Sequence, residues 1–284
     1  MSLMFGEQII ARTLQEARVV DSHKNPWQYH SRSDRHSKIA CWAIMFDLMR
    51  ICPLLRQHAT EDKIGFGINH EMRDFRVNRK KNLDLVVCIG TPVGSEKSSL
   101  MQYGAELNIS LTDEQHRELK NLPDIRRGSV SNVLVALEAK ACMTEHLKAR
   151  PRLYDELASS FQAIHGDTTT AIAAAFVMIN CADSFASPSA RNPGKIPKGG
   201  LVYNTHRQPD VALRVLDKLM ELPRRSGEGQ LGFDAIGVTM INLRNDGSQV
   251  SVNEEINARV QPIVRYVDLI QRLAHLYATK YGAL

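Results

Sequence analysis

The chain has 284 residues, 43% of them apolar and 24% charged, with a formal net charge of +5. It is long enough to bury a substantial core and too apolar for a disordered chain, and its mild positive charge permits a nucleic-acid partner without requiring one. Five scattered cysteines with no CxxC pair argue against a disulfide scaffold or a structural zinc, and no apolar run approaches the roughly 20 residues that span a bilayer, so a cytoplasmic protein without membrane contact is expected.

Taken in chain order, residues 5–20 carry helical spacing. Residues 21–37 are polar, hold His23, His30 and His36 without tight metal-ligand spacing, and read as a loop or arm. Residues 38–52 (KIACWAIMFDLMRIC) are almost wholly apolar and predict a buried helix stopped by Pro53. From 64 to 90 the period changes: FGINHEMRDFRV, the turn NRKKN and LDLVVCIG predict two strands of a hairpin. The run DLVVCIGTPVGSEKSS then suggests a strand feeding a phosphate-binding loop. A Walker loop needs two glycines five apart with Lys directly after the second. Gly90 and Gly94 are four apart, Lys97 comes three residues later and Pro92 lacks an N–H, so an ordinary loop without a nucleotide cofactor is expected.

Residues 91–130 form a polar excursion in which Thr112-x-x-Gln115 predicts a capping box. VLVALEAKA (133–141) predicts a central strand, and Pro151 suits the first turn of a helix with Leu153, Leu157, Phe161 and Ile164 on one face. AIAAAFVMINCAD (171–183) predicts a second buried strand. Residues 208–222 are helical, FDAIGVTMINL and SQVSV flank the hairpin signal Asn245-Asp246-Gly247, and 257–281 form a long helix interrupted near Pro262. One α/β domain spanning 1–284 is expected.

Glu138-Ala139-Lys140 lies inside the strand at 133–141. A two-residue side-chain period puts Glu138 and Lys140 on one face, and two charges in an apolar strand are costly unless paired or employed. Glu-x-Lys occurs three times in the chain, against roughly one or two expected by chance. Glu61-x-Lys63 lies in a polar turn and Glu118-x-Lys120 on a predicted helix, where i and i+2 do not share a face. Only the third sits in a buried strand. A further acid, Asp84, heads the apolar strand upstream.

This arrangement resembles the PD-(D/E)XK nuclease superfamily, over a core from about residue 38 to 183: helix, hairpin with Asp84, strand with Glu138 and Lys140, helix, strand. The resemblance implies a restriction-endonuclease-like fold, with a mixed central sheet flanked by helices, an insertion at about 91–130 and a helical C-terminal extension from about 187 to 284. It also implies catalytic Asp84, Glu138 and Lys140, with Mg²⁺ held by Asp84, Glu138 and the Ala139 carbonyl. Leu83 stands where the family often has Pro, and the 53 residues between the two acids exceed the usual separation. Such a site would hydrolyse phosphodiester bonds in double-stranded DNA, as a type II restriction enzyme does; a repair or recombination nuclease and an inactive DNA-binding protein of the same fold are the alternatives. Lys140 would steady the attacking water and the growing charge, or act as a base if its pKa is depressed.

Asp47 on the first core helix is a candidate auxiliary acid, with Arg50 at i+3 as an alternative surface partner and Glu71 and Asp74 as competitors. Gln162 and His165 are weaker candidates on the helix after Lys140. Arg73, Arg76, Arg79, Lys80 and Lys81 crowd the segment before Asp84 as candidates for DNA-backbone contact. One centre per chain cuts one strand, so a double-strand break predicts a homodimer, with the stripe Val260, Val264, Val267, Ile270, Leu273 and Leu276 available either for an interface or for the chain's own sheet.

Overall fold

The computed structural model describes residues 4–90, 99–188, 192, 194 and 200–284. Its first half comprises α1 (Gly6–Leu14), β1 (Val19–Val20), β2 (Pro26–Trp27), α2 (Arg35–Ile51), α3 (Pro53–Thr60), β3 (Gly65–Asp74), β4 (Arg79–Ile89), α4 (Leu100–Glu106) and α5 (Asp113–Asn121). Then come β5 (Asn132–Cys142), α6 (His146–Asp167), β6 (Ile172–Asn180), β7 (Ser184–Ala186), β8 (Tyr203–Thr205), α7 (Asp210–Met220), β9 (Ala235–Asn242), β10 (Ser251–Val252), α8 (Glu254–Asn257) and α9 (Tyr266–Lys280).

A six-stranded mixed sheet in the order β10-β9-β6-β5-β4-β3 organises the chain. β5, β6 and β9 are mutually parallel, while β3, β4 and β10 are antiparallel to their neighbours. The near-continuous apolar composition of β6 follows from its place: every residue is buried, with helices on both faces. On one face Ile44, Leu48, Leu85, Leu137, Phe176 and Tyr266 join a core built with α1, α2 and α9. On the other, Leu157, Phe161, Val177, Val215 and Leu219 pack α6 and α7 against the sheet. The excursion at 91–130 adds to the first core through Leu100, Tyr103 and Leu119, and Trp42 Nε1 donates to the Leu100 carbonyl at 2.8 Å. Among the described residues no helix is long and apolar enough to cross a membrane.

Several expectations change. The β3–β4 turn is 75–78, because Arg79, Lys80 and Lys81 pair with Asp74, Arg73 and Met72 as strand residues. The polar segment at 21–37 is packed: Trp27 is buried, its Nε1 donates to Asp21 at 2.9 Å, and Gln28 donates to the Gln15 and Ser248 carbonyls. Side-chain hydrogen bonds of this kind leave no mark in an apolar periodicity. Pro151 lies inside α6, which starts five residues earlier at His146. Asn245 and Gly247 have positive φ as the hairpin signal requires, but Asn242 pairs with Ser251, so the connection is a longer loop. The last long helix starts at Tyr266, and Val260, Val264, Ile270 and Leu273 are already buried in the chain's own core.

Asp47 ties the termini together. Its carboxylate, fully buried, accepts from Phe5 N, Gly6 N (2.7 Å), Arg50 Nη1 and Tyr266 Oη. A side chain at Gly6 would collide with the Tyr266 hydroxyl, so only Gly lets α1 start there. Asp47→Ala should cost about 2–4 kcal/mol, because it leaves two buried backbone N–H groups and the Tyr266 hydroxyl without their acceptor, while Arg50 keeps Glu118. Urea unfolding checks this; a loss under about 1 kcal/mol would contradict the tie.

Candidate functional site

Both ladders of β4 break at Asp84. The pairing with β3 skips from Ile68–Leu85 to His70–Leu83, and Asn69, between them, has a φ of 53°. The pairing with β5 ends at Leu85–Leu137. Beyond that point the Asp84 carboxylate itself takes the Ala139 N–H, with Oδ2 accepting at 2.8 Å. The strands therefore part at the acid, and a side chain stands in for the lost main-chain acceptor. Oδ1 accepts from the Ser37 hydroxyl at 3.2 Å, which brings in the first turn of α2.

Glu138 is only 2% exposed. Its Oε1 meets Lys140 Nζ at 2.7 Å and Lys81 Nζ at 3.6 Å, whereas Oε2 is buried without a hydrogen-bond partner. Lys81 also donates to the Glu156 carbonyl on α6 at 2.9 Å, and Glu156 Oε2 lies 3.9 Å from Lys140. Burial and then the nearby Glu138 push the Asp84 carboxyl up to about 6, against the Ala139 N–H, Lys140 and Ser37. For Lys140 burial works downward, but Glu138, Asp84 and Glu156 outweigh it and raise the pKa. Lys140 is thus held as a cation here, the form in which it would steady the growing charge. Lys81 is the lysine whose pKa is lowered, with burial the largest cause. His36, beside the same cleft, is held down to about 4 by burial and then by Lys140, so its ring is neutral at pH 7.

Asp84, Ala139 and Lys140, with His36, Ser37 and Glu156, line an open cleft of about 800 Å³, whereas Glu138 and Lys81 are not part of its lining. The structure thus brings together Asp84, Glu138, Ala139 and Lys140, and turns Lys81 from the surface group toward them. Asp47 is elsewhere, holding α1. Asp74 is buried against Arg76 (2.9 Å), and Glu71 pairs with Lys80 at 2.7 Å. Arg73 donates to Asn78 at 2.8 Å, and Arg79 is exposed at the start of β4. His165 is bonded to the Gly232 carbonyl, and Gln162 gives its carbonyl to Arg76. Lys97, Gly94 and Pro92 lie outside the described residues. Gly90 has a packing reason of its own, since a Cβ there would strike the Ser129 carbonyl. Ser37 and Glu156 escaped the sequence reading, and His36, expected in a polar arm, stands in the first turn of α2 beside the cleft. Strand alternation exposed the acid–lysine pair, but the groups facing it from two helices carry no spacing signal.

The oxygens suit a hard cation. Two carboxylates converge, one with an unpartnered buried oxygen and the other with its ionised form disfavoured by burial and then by its neighbour. Among the described residues no three His, Cys, Asp or Glu side chains form a metal cage. Comparisons with protein-family models, curated proteins and solved structures find no significant match to this chain.

The raised Asp84 pKa fixes a pH dependence. Because the folded value, about 6, lies above the unfolded one, the carboxyl stabilises the fold below about pH 4, and that contribution is lost as pH rises through 6. In metal-free protein, Asp84→Asn should therefore gain about 1–3 kcal/mol relative to wild type at pH 8, with the difference vanishing near pH 4. Urea unfolding at both pH values with a chelator present checks it. Destabilisation by Asp84→Asn at pH 8 would mean that the carboxylate serves a structural ion network instead.

Proposed function

We propose that the protein is a Mg²⁺-dependent endodeoxyribonuclease with a restriction-endonuclease-like core, cutting double-stranded DNA as a homodimer in the manner of a type II restriction enzyme. The observation that carries the reading is the convergence of Asp84 and the Glu138–Lys140 pair where β4 parts from β5, with one buried Glu138 oxygen lacking a hydrogen-bond partner. The succession α2, β3, β4, β5, α6, β6 supports it, being the order of elements that the PD-(D/E)XK resemblance implies.

Asp84 and Glu138 would hold Mg²⁺ by carboxylate oxygens, with the Ala139 carbonyl as a further ligand. When bound, the ion offsets charge on the phosphoryl oxygens and lowers the pKa of a bound water. The chain's own contribution is positioning and charge. Lys140, protonated, presents a cation to the cleft, where negative charge builds on the scissile phosphate. Lys140 and Lys81 together hold Glu138 by one oxygen, which fixes the carboxylate plane. Ser37 and the Ala139 N–H orient Asp84. The neutral His36 ring adds no competing charge. Arg79 and Lys80, at the start of β4, would meet the DNA backbone and contribute salt-dependent affinity without sequence choice.

The reading predicts that wild-type protein with Mg²⁺ cuts unmodified phage DNA into discrete fragments. Asp84→Ala, Glu138→Gln and Lys140→Met should each lower the rate by about 10²–10³-fold or more while keeping the far-UV circular dichroism and most DNA binding. Gel analysis of a Mg²⁺ digest, with a chelator control, is the check. Near-normal cleavage by Glu138→Gln would overturn the site. Single-strand nicks from a monomer would turn the reading toward repair, and DNA binding without any cleavage toward an inactive member of the fold.

A further inference from the structure

The β3–β4 turn holds the two most exposed large apolar side chains among the described residues, Phe75 at 67% and Val77 at 68%. They are two positions apart on a hairpin tip that is held firmly. Phe75 N donates to the Gly166 carbonyl at 3.2 Å and Arg73 N to Asp167 Oδ2 at 2.7 Å, both at the end of α6. Arg76 grips the buried Asp74 through Nε and Nη2, each at 2.9 Å, and reaches the Gln162 carbonyl. A Cβ on Gly166 would overlap Asp74, so only Gly lets the hairpin seat this closely. Asn78 closes the turn with a φ of 53°, a conformation Asn tolerates. The fold thus braces two apolar side chains in water, which a solvated turn does not need.

The charge around them selects the partner. Residues 73–80 hold four cations (Arg73, Arg76, Arg79, Lys80) against one acid, Asp74; Arg76 pairs with Asp74 and Lys80 with Glu71, which leaves Arg73 and Arg79 without a carboxylate partner among these pairs. An apolar tip flanked by cations matches a duplex groove, where apolar side chains enter between base steps while Lys and Arg meet the phosphates on either side. A second copy of the same tip would bring four cations against four. Arg79, at the foot of the turn, precedes Asp84 by five residues of β4, about 17 Å at the rise of a β-strand, so the tip two residues further on reaches at most about 23 Å, or about seven base-pair steps of duplex.

We propose that the tip of the β3–β4 hairpin is a DNA wedge: Phe75 and Val77 enter the groove at a base step up to about seven steps from the bond cut, and partly unstack it. This rests on the nuclease reading for its substrate and extends it to how the duplex is gripped. Unstacking costs a few kcal/mol at a paired step and less at a mismatch, so a wedge favours a duplex with one mismatched step.

The test measures fluorescence anisotropy of a labelled random-sequence duplex, and of the same duplex with a central mismatch, in the Glu138→Gln background so that neither is cut. The expected result is tighter binding of the mismatched duplex by about tenfold. The double substitution Phe75→Ser with Val77→Ser, on exposed positions and with unchanged circular dichroism, should abolish that preference but keep the salt slope. Arg79→Gln with Lys80→Gln should lower the salt slope for both duplexes and keep the preference. Equal affinities in the parent, or a preference unchanged by the serine pair, would overturn the wedge, and so would serine substitutions that only dissolve self-association seen by light scattering. If wild-type protein fails to cut DNA with Mg²⁺ while the serine pair still removes the preference, the nuclease reading falls and the wedge stands. If it cuts normally and the preference is absent, the reverse holds.

Discussion

A carboxylate that is almost dry, with one oxygen unbonded, sits beside a second carboxylate that resists ionisation. That is the constraint around which the central sheet of this protein is arranged. Burying Glu138 costs free energy unless its charge is met, and only Oε1 is met, by Lys140 at 2.7 Å and Lys81 at 3.6 Å. Burial, and then the like charge of Glu138, holds the Asp84 proton to about pH 6. In the proposed function, a bound cation offsets the cost of folding these two carboxylates beside each other.

The scaffold concentrates its support there. The parting of β4 from β5 leaves the Ala139 N–H for Asp84. The first turn of α2 supplies Ser37 and His36, and α6 supplies the Glu156 carbonyl and carboxylate. Fully buried β6 fixes β5 from its other edge, and Asp47 anchors α1 to α2 and α9 through Gly6 and Tyr266. The groups of the cleft thus stand on a close-packed sheet and two long helices, so their separations are set by rigid elements rather than by loops.

Much of this was legible in the sequence because it depends on period and composition. The buried strands at β5, β6 and β9, the Thr112–Gln115 capping box and the apolar face of α6 all follow from local patterns. So did the shared face of Glu138 and Lys140, which a two-residue period dictates. The rest depends on contacts distant in sequence. Lys81 reads as one of five clustered surface cations, and only the pairing of Arg79–Lys81 with β3 turns it toward Glu138. Asp47 looks like a spare acid on a core helix, because nothing local shows Phe5 N and Gly6 N waiting for it. The break in both ladders at Asp84 has no sequence signature beyond Asn69, one of the residues that tolerate positive φ.

The central claim is that the unpartnered oxygen of Glu138, together with Asp84, forms the seat of a divalent cation. Calorimetric titration of Mn²⁺ into metal-free wild-type protein and into Glu138→Gln tests it most directly, since it reads the site without relying on cleavage. The account predicts saturable binding by the wild type that disappears in Glu138→Gln while the variant stays folded; a wild type that takes up no metal, or a variant that binds it equally well, would contradict it.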